Sequence, residues 1–166
     1  LAVARRIVEC DQYVRSGKKN WGPSNLMGSH VSGKTIGIIG AGRIGTAVGQ
    51  RAKGFNMNII YTGNNRKPNF EEITGGKYVD QETLLKEADF ISIHAPLLPS
   101  TRHLIGAEEF KVMKSTAILI NASRGALIDE KALVSALQNN VIAGAGLDVF
   151  EREPITEHGL VNLHNV

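Results

Sequence analysis

The hexapeptide Gly40-Ala41-Gly42-Arg43-Ile44-Gly45 lies between an apolar run, residues 35–39, and a helix-like segment, residues 46–53. A GxGxxG pattern alone arises by chance, but between a strand and a helix it is typical of a dinucleotide-binding turn. The first glycine allows the tight turn, the second allows a pyrophosphate to approach the backbone, and the third allows close helix packing. The amides and the dipole at the start of the helix then favour the phosphates. The alternative is a plain strand-to-helix turn without a ligand.

Apolar runs and helical spacing alternate along the rest of the chain. The pattern predicts strands at residues 34–39, 58–61, 77–79, 90–94, 116–120 and 143–149. It predicts helices at residues 2–14, 44–54, 81–88, 107–113 and, with Asp129 as the N-cap, up to residue 139. Gly54 is the expected end of the second helix. Loops are predicted at residues 16–33 and 62–76, and Trp21 is expected to anchor the first of them by packing. Such alternation indicates an α/β Rossmann fold, a doubly wound parallel sheet flanked by helices.

Composition places the chain among globular domains of ordinary size, with 166 residues, 42% hydrophobic and 21% charged. The net charge of +3 is small and its Lys and Arg residues are dispersed, without the basic stripe that nucleic-acid binding requires. No apolar run approaches the roughly 20 residues of a membrane span. Cys10 is the single cysteine, and no signal peptide is visible, so we expect a cytoplasmic protein. The start at Leu1 lacks an initiator Met and reads as helix interior, which suggests a piece of a longer protein.

Polar clusters follow the predicted strands at their carboxyl ends, where ligands bind in such sheets. The clusters are the glycine turn, residues 62–67, residues 94–101 and residues 121–125, and Asp148 follows the last strand. Random placement would scatter them to both ends of the sheet. We therefore expect them to form one pocket.

Residues 61–67 indicate which dinucleotide this pocket favours. An NAD site usually places Asp or Glu about 20 residues after the glycine turn, where it accepts the ribose 2′-hydroxyl. This chain has no carboxylate there and instead carries Asn64, Arg66 and Lys67. A guanidinium binds a phosphate bidentately, whereas Asp would repel it. The sequence therefore favours NADP, with NAD as the alternative, unless Arg66 and Lys67 only solvate a surface loop.

Several segments, in order, resemble the nucleotide-binding domain of the D-isomer-specific 2-hydroxyacid dehydrogenases. They are VSGKTIGIIG at 31–40, HAPL at 94–97, TRHLI at 101–105, INASRG at 120–125 and GLDVFEREP at 146–154. The resemblance covers nearly the whole chain. Residues 61–68 resemble, more loosely, the NADPH-preferring glyoxylate and hydroxypyruvate reductase branch. The family reduces a 2-oxo acid to a D-2-hydroxy acid by hydride transfer from the nicotinamide.

The resemblance implies two catalytic residues. Arg124 matches the catalytic arginine, a fixed charged fork that can hold the substrate carboxylate and polarise the carbonyl. The alternative is that Arg124 pairs with an acidic neighbour. Glu153 matches the acid that hydrogen-bonds a histidine and raises the pKa of that histidine, so that the imidazolium can deliver a proton. Glu151 does not match and is expected at the surface.

The resemblance and the motifs also imply a set of cofactor-binding residues. Asp148 matches the residue that contacts the nicotinamide end, with a simple turn cap as the alternative. The other members lie along the expected pocket: Gly40, Gly42, Arg43, Ile44 and Gly45 at the pyrophosphate, Asn64, Arg66 and Lys67 at the adenosine phosphate, and His94, Ala95, Pro96, Thr101, Ala122, Ser123 and Arg124 further along.

Two parts of the family enzyme are expected outside this chain. The catalytic histidine lies beyond the matched segment, and none of the candidates matches it: His94, His103, His158 and His164. Of these, His103 reads as an ordinary surface or helix-start residue, and His158 reads as part of an exposed tail. The substrate domain is also expected elsewhere. Residues 1–15 resemble the helix that links the two domains and often contributes to dimer contacts, which predicts a homodimer that covers its apolar face.

Three hypotheses follow from the sequence. The first is the dinucleotide-binding domain, residues 1–166, of an NADPH-dependent reductase that acts on a small 2-oxo acid such as glyoxylate or hydroxypyruvate, without a metal. The second is a non-enzymatic dinucleotide sensor on the same fold, as in the corepressors that resemble this family. Arg124 together with Glu153 favours the enzyme. The third is another dehydrogenase family that shares only the glycine turn, and the other matching segments argue against it.

Overall fold

The computed structural model describes residues 1–20, 22, 24–154 and 159–166. The strands in these residues are β1 (Thr35–Ile39), β2 (Asn58–Thr62), β3 (Lys77–Tyr78), β4 (Phe90–Ile93), β5 (Ile118–Asn121) and β6 (Gly144–Leu147). All their pairings are parallel, and the order across the sheet is β3-β2-β1-β4-β5-β6. The order reverses between β1 and β4, where a ligand crevice is expected. The Rossmann fold inferred from the alternating pattern is confirmed.

Helices cover both faces of the sheet. Those in the described residues are α1 (Ile7–Arg15), α2 (Arg43–Gly54), α3 (Pro68–Thr74), α4 (Gln81–Glu87), α5 (Ala107–Val112) and α6 (Glu130–Gln138). Ile38 of β1 packs in a cluster with Phe70 of α3, whereas Ile39 packs in a cluster with Leu84 of α4. Because neighbouring residues of a strand face opposite sides, β1 is buried on both faces, as its unbroken apolar run predicts.

Helix α3 corrects the prediction of an unstructured loop at residues 62–76. Pro68 occupies the first turn of α3, where a missing N–H costs nothing, and Gly75 ends the helix in the left-handed region at φ 72°. Phe70 is 1% exposed, and its ring lies 4.4 Å from that of Tyr61, centroid to centroid. The Pro and Gly that suggested a loop are therefore the start and stop signals of a short helix.

The start of the first helix also differs from the sequence prediction. The first helix begins at Ile7 rather than Ala2, because Arg6 lies in the left-handed region at φ 51° and residues 2–6 form turns. Helix α2 ends at Gly54, as predicted, and the left-handed residue beyond this end is Asn56 at φ 54°. Trp21, the expected anchor of the 16–33 loop, lies outside the described residues.

The register of the sheet brings the predicted polar clusters to one edge. Ile39 pairs with Thr62 on one side and with Ile93 on the other, and Asn121 pairs with Ile93. The segments that follow these residues therefore leave the sheet side by side at its carboxyl edge. Within the described part of the chain, no helix is both long and apolar enough to cross a membrane.

Candidate functional site

The glycine turn after β1 is shaped by two close backbone contacts and one open position. Gly40 lies in the left-handed region at φ 99°, and a Cβ atom there would lie 2.7 Å from the backbone carbon of His94. A Cβ atom on Gly45 would lie 2.2 Å from the carbonyl oxygen of Gly40. A Cβ atom on Gly42 would have no described atom within 4 Å. The outer glycines are thus required by packing, whereas Gly42 faces the space from which a ligand can approach.

Helix α2 begins at this open position with its amides unshielded. Gly42 is the N-cap and supplies no side-chain cap, and the first turn of α2 holds no acidic residue. Amides at a helix start lack intrahelical partners, and together with the helix dipole they attract an anion. The turn therefore has the donors and the space that a pyrophosphate requires.

A cleft of about 700 Å³ opens between the start of α2, the end of β2 and the end of β4. This volume lies within the usual range for a small-molecule site. The predicted cofactor residues that line it are Gly40, Gly42, Arg43, Asn64, Lys67, His94, Ala95, Pro96 and Thr101. Five further polar residues line it without being part of a recognised motif: Thr46, Gln50, Asn65, Asn69 and Ser100.

The other predicted residues lie outside the lining of this cleft. Ile44 is 70% exposed at the start of α2, and Gly45 is buried against the turn. Arg66 stands beside the cleft, and the remainder belong to the loops after β5 and β6: Ala122, Ser123, Arg124, Asp148 and Glu153. The structure therefore brings together most of the residues that the sequence predicts for the pyrophosphate and for the adenosine phosphate, and it places the catalytic candidates on the two neighbouring loops.

A side-chain network orders the segment after β2, where the sequence predicts the adenosine phosphate. The Arg66 guanidinium donates to both carboxylate oxygens of Glu71, Nε to Oε1 at 2.8 Å and Nη2 to Oε2 at 2.7 Å. The buried Tyr61 hydroxyl donates to Glu71 Oε1 at 2.8 Å and accepts from the Lys67 amide at 2.6 Å. Hydrogen bonding by Arg66, and next by Tyr61, lowers the pKa of Glu71. The same pair raises the pKa of Arg66, and burial raises the pKa of Tyr61.

The segment after β4 forms the opposite wall. His94 is partly buried, and its Nε2 lies 2.9 Å from the Ser92 hydroxyl. Burial lowers the pKa of His94, which favours the neutral ring. Thr101 closes the segment, because its hydroxyl donates to the Pro96 carbonyl at 2.7 Å and accepts from the Leu98 amide at 2.8 Å.

The loop that carries Arg124 is tied to this wall. The buried Asn121 side chain accepts from the Ser123 amide at 3.0 Å and donates to the Arg124 carbonyl at 2.9 Å. The Ser123 hydroxyl donates to the Ala95 carbonyl at 2.8 Å. The exposed Arg124 guanidinium donates to the Ser123 carbonyl at 2.7 Å. Within the described residues it forms no ion pair, so the suggested pairing with an acidic neighbour is not seen there.

The loop after β6 packs directly on the Arg124 loop. A Cβ atom on Gly125 would lie 1.9 Å from the backbone carbon of Phe150, so only glycine fits. The exposed Asp148 donates its amide to the Asn121 carbonyl at 3.0 Å. The exposed Glu153 accepts from the Phe150 amide at 3.0 Å. Two loops that carry the catalytic candidates thus share a backbone contact.

Glu151 and Glu130 are the residues of this region that the sequence interpretation misjudged or missed. Glu151 is not a plain surface residue: its carboxylate accepts from His103 and from Arg102 at 3.5 Å, and it is only 23% exposed. Glu130, 7% exposed at the start of α6, accepts from the Glu151 amide at 2.5 Å. An acid in the first turn of a helix is ordinarily exposed, so nothing local marks Glu130 as buried.

Neither of the other candidate histidines in the described residues lines this cleft. His103, expected as an ordinary surface or helix-start residue, lies in the left-handed region at φ 50° and contacts Glu151. His164 lines a separate cavity beside Ile118, at the amino ends of the strands. His158 lies outside the described residues.

Comparison with known proteins agrees with this geometry. The family model of the D-isomer specific 2-hydroxyacid dehydrogenase, NAD binding domain, matches residues 1–166, which supports a nicotinamide dinucleotide as the cofactor. The glyoxylate reductase of Thermococcus litoralis is 58% identical over 171 residues, covering 100% of this chain and 52% of that protein. This chain thus spans about half the length of that relative.

Solved structures show the same architecture. The crystal structure of the TT0316 protein from Thermus thermophilus has a TM-score of 0.92 and 46% identity, covering 99% of this chain and 52% of that one. A glyoxylate reductase from Paecilomyes thermophila has a TM-score of 0.90 and 42% identity, covering 99% and 49%. The chain therefore belongs to the D-isomer specific 2-hydroxyacid dehydrogenase family, as its NAD-binding domain.

Proposed function

We propose that this chain is the cofactor-binding domain of a reductase that converts a small 2-oxo acid, of the glyoxylate or hydroxypyruvate type, to a D-2-hydroxy acid with NADPH as the preferred cofactor. The observation that carries the proposal is the open position at Gly42, at the mouth of a cleft whose far wall is tied to the Arg124 loop. The relative from Thermococcus litoralis is named a glyoxylate reductase, which does not favour the sensor hypothesis.

Each part of the site has a role in this proposal. The bound cofactor supplies the hydride. The glycine turn and the first amides of α2 bind the pyrophosphate, and the Ser123 bond to Ala95 positions the Arg124 loop beside the cofactor. Arg124 holds the substrate carboxylate and polarises its carbonyl. Glu153 hydrogen-bonds a histidine of the longer protein and keeps it protonated, so that it can protonate the product oxygen.

Cofactor preference is proposed from the cations at the adenosine end. Asn64 and Lys67 line the cleft, and Arg66 stands beside it. Residues 61–67 contain no Asp or Glu that could accept a hydrogen bond from a ribose 2′-hydroxyl. These groups suit a 2′-phosphate, so we propose NADPH over NADH. We also propose that residues 1–15 contribute to a homodimer contact, that the substrate domain lies outside this chain and that the protein is cytoplasmic.

Titration calorimetry of this chain with NADPH and with NADH tests the proposal. We expect both to bind, NADPH more tightly, because the pyrophosphate site is common to both and the 2′-phosphate adds contacts. We expect no measurable reduction of glyoxylate by this chain, since the proton donor and the substrate domain are proposed to lie outside it. Absence of binding by either cofactor would contradict the dinucleotide site, and equal or tighter NADH binding would contradict the preference.

A further inference from the structure

Arg66 is the cation that suits a 2′-phosphate best, yet its binding edge is already occupied. Its Nε and Nη2 face the two oxygens of Glu71 at 2.8 and 2.7 Å, which is the fork-to-fork geometry of a bidentate pair. Its neighbour Lys67 lines the cleft, as does Asn64, whereas Arg66 does not. The structure therefore shows one cation of the adjacent pair directed to the cleft and the other directed to helix α3.

Glu71 is the fixed partner in this pair, and Arg66 is the mobile one. The Glu71 side chain is 20% exposed and is also held by the Tyr61 hydroxyl at 2.8 Å, whereas the Arg66 side chain is 69% exposed. Tyr61 is itself fully buried against Phe70. An exposed long side chain can change partner at little energetic cost, because exposed ion pairs contribute little to stability. A ligand that competes for this pair would therefore move Arg66 rather than Glu71.

We propose that Glu71 is a specificity-determining residue, which competes with the 2′-phosphate of NADPH for the Arg66 guanidinium and so limits the preference for NADPH over NADH. The proposal rests on the dinucleotide site proposed above. When NADPH binds, Arg66 exchanges one bidentate oxygen partner for another, and the lost pair with Glu71 reduces the net gain. NADH presents no phosphate at this position, so its affinity does not depend on the exchange.

The test is the ratio of the NADPH and NADH dissociation constants of this chain, measured by calorimetry for wild type and Glu71→Gln. Gln keeps an oxygen that accepts from Tyr61 but loses the charge that holds Arg66. We expect NADPH affinity to rise about threefold, the scale of one exposed ion pair, with NADH affinity unchanged. Glu71→Asp keeps the charge on a shorter side chain, and it should raise the NADPH affinity less than Glu71→Gln does.

Two further variants separate the exchange from a simple change of charge. Glu72→Gln removes the same charge from an exposed neighbour on α3, and it should leave the ratio unchanged. Arg66→Gln should reduce the preference for NADPH, and adding Glu71→Gln to it should give no further gain in NADPH affinity. An equal gain with and without Arg66 would overturn the proposal, as would an unchanged ratio in Glu71→Gln. Failure of wild type to bind either cofactor would instead overturn the dinucleotide site itself.

Discussion

The glycine turn and the segment from Tyr61 to Glu71 flank the same cleft but are held by different means. The turn is held by backbone contacts, of Gly40 with the end of β4 and of Gly45 with Gly40. The segment is held by side-chain hydrogen bonds that meet at Glu71. Backbone packing leaves no room for an added atom, whereas exposed side chains can exchange partners. The proposed pyrophosphate site is therefore preformed, and we expect the preference between the two cofactors to depend on the segment from Tyr61 to Glu71.

The largest effect is expected from Gly45→Ala, which disrupts the backbone contact between Gly45 and Gly40. The added methyl group would lie 2.2 Å from the Gly40 carbonyl oxygen, so the start of α2 must move. We expect a loss of about 2 kcal/mol or more in the free energy of unfolding, together with loss of cofactor binding. Urea unfolding measures the first and calorimetry the second. Wild-type stability in this variant would show that the turn is not held by this contact.

The next effect is expected from Gly42→Ala, which adds the same methyl group where no described atom lies within 4 Å. Stability should fall by less than about 1 kcal/mol, the scale of an altered N-cap. Cofactor affinity should fall at least about tenfold, because the methyl group occupies the approach path of the pyrophosphate. A large loss of stability with affinity retained would reverse the roles assigned to the two glycines.

A smaller effect is expected from Tyr61→Phe, which changes the segment held by side-chain hydrogen bonds. The variant leaves the Lys67 amide and one oxygen of Glu71 without their hydrogen bonds to the buried hydroxyl. We expect a loss of about 1 kcal/mol in the free energy of unfolding and a change in the ratio of NADPH to NADH affinity. Tyr78→Phe is the comparison variant, since its hydroxyl donates to the Gly63 carbonyl of the same segment at 3.0 Å without contacting Glu71. Equal effects of the two variants would remove the special role of Tyr61.

The smallest effect is expected from pH, through His94 beside the glycine turn. Burial lowers the pKa of His94 in the folded state, so the unfolded chain binds more protons as pH falls below about 6.5. This contribution to stability is therefore present above that pH and is lost as pH falls towards the lowered folded pKa. The melting temperature of His94→Asn should fall less than that of wild type between pH 7.5 and pH 5.5. His30→Asn, at an exposed position, serves as the control and should follow wild type.

The sequence was sufficient to predict what depends on chain order and backbone. Alternating apolar runs predicted the parallel sheet, and the rule that ligands meet the carboxyl ends of strands brought the glycine turn, Asn64, Lys67 and His94 to one cleft. Three glycines at fixed spacing predicted a tight turn, an open position and a close helix contact, and the close approach of Gly40 to His94 was seen only in the structure. Each of these features follows from local residues and from general properties of parallel sheets.

Long-range side-chain contacts could not be predicted in this way. Helix α3 is stabilised by Phe70 packing on Tyr61, a contact between two elements that composition does not reveal. Glu71 and Glu130 both occupy the first turn of a helix, where an acid commonly faces solvent and favours the helix dipole. Only the folded chain shows that one holds Arg66 and that the other holds the Glu151 amide.

The contact between Gly125 and Phe150 limits how this domain can be redesigned. A methyl group has no space between the two loops. The backbone of the Arg124 loop therefore lies directly against the backbone of the loop that carries Glu153, with no side chain between them. A backbone shift in one of these loops is therefore expected to move the other loop as well. Under the proposed function, substrate preference is therefore best changed at residues away from this contact between the two loops.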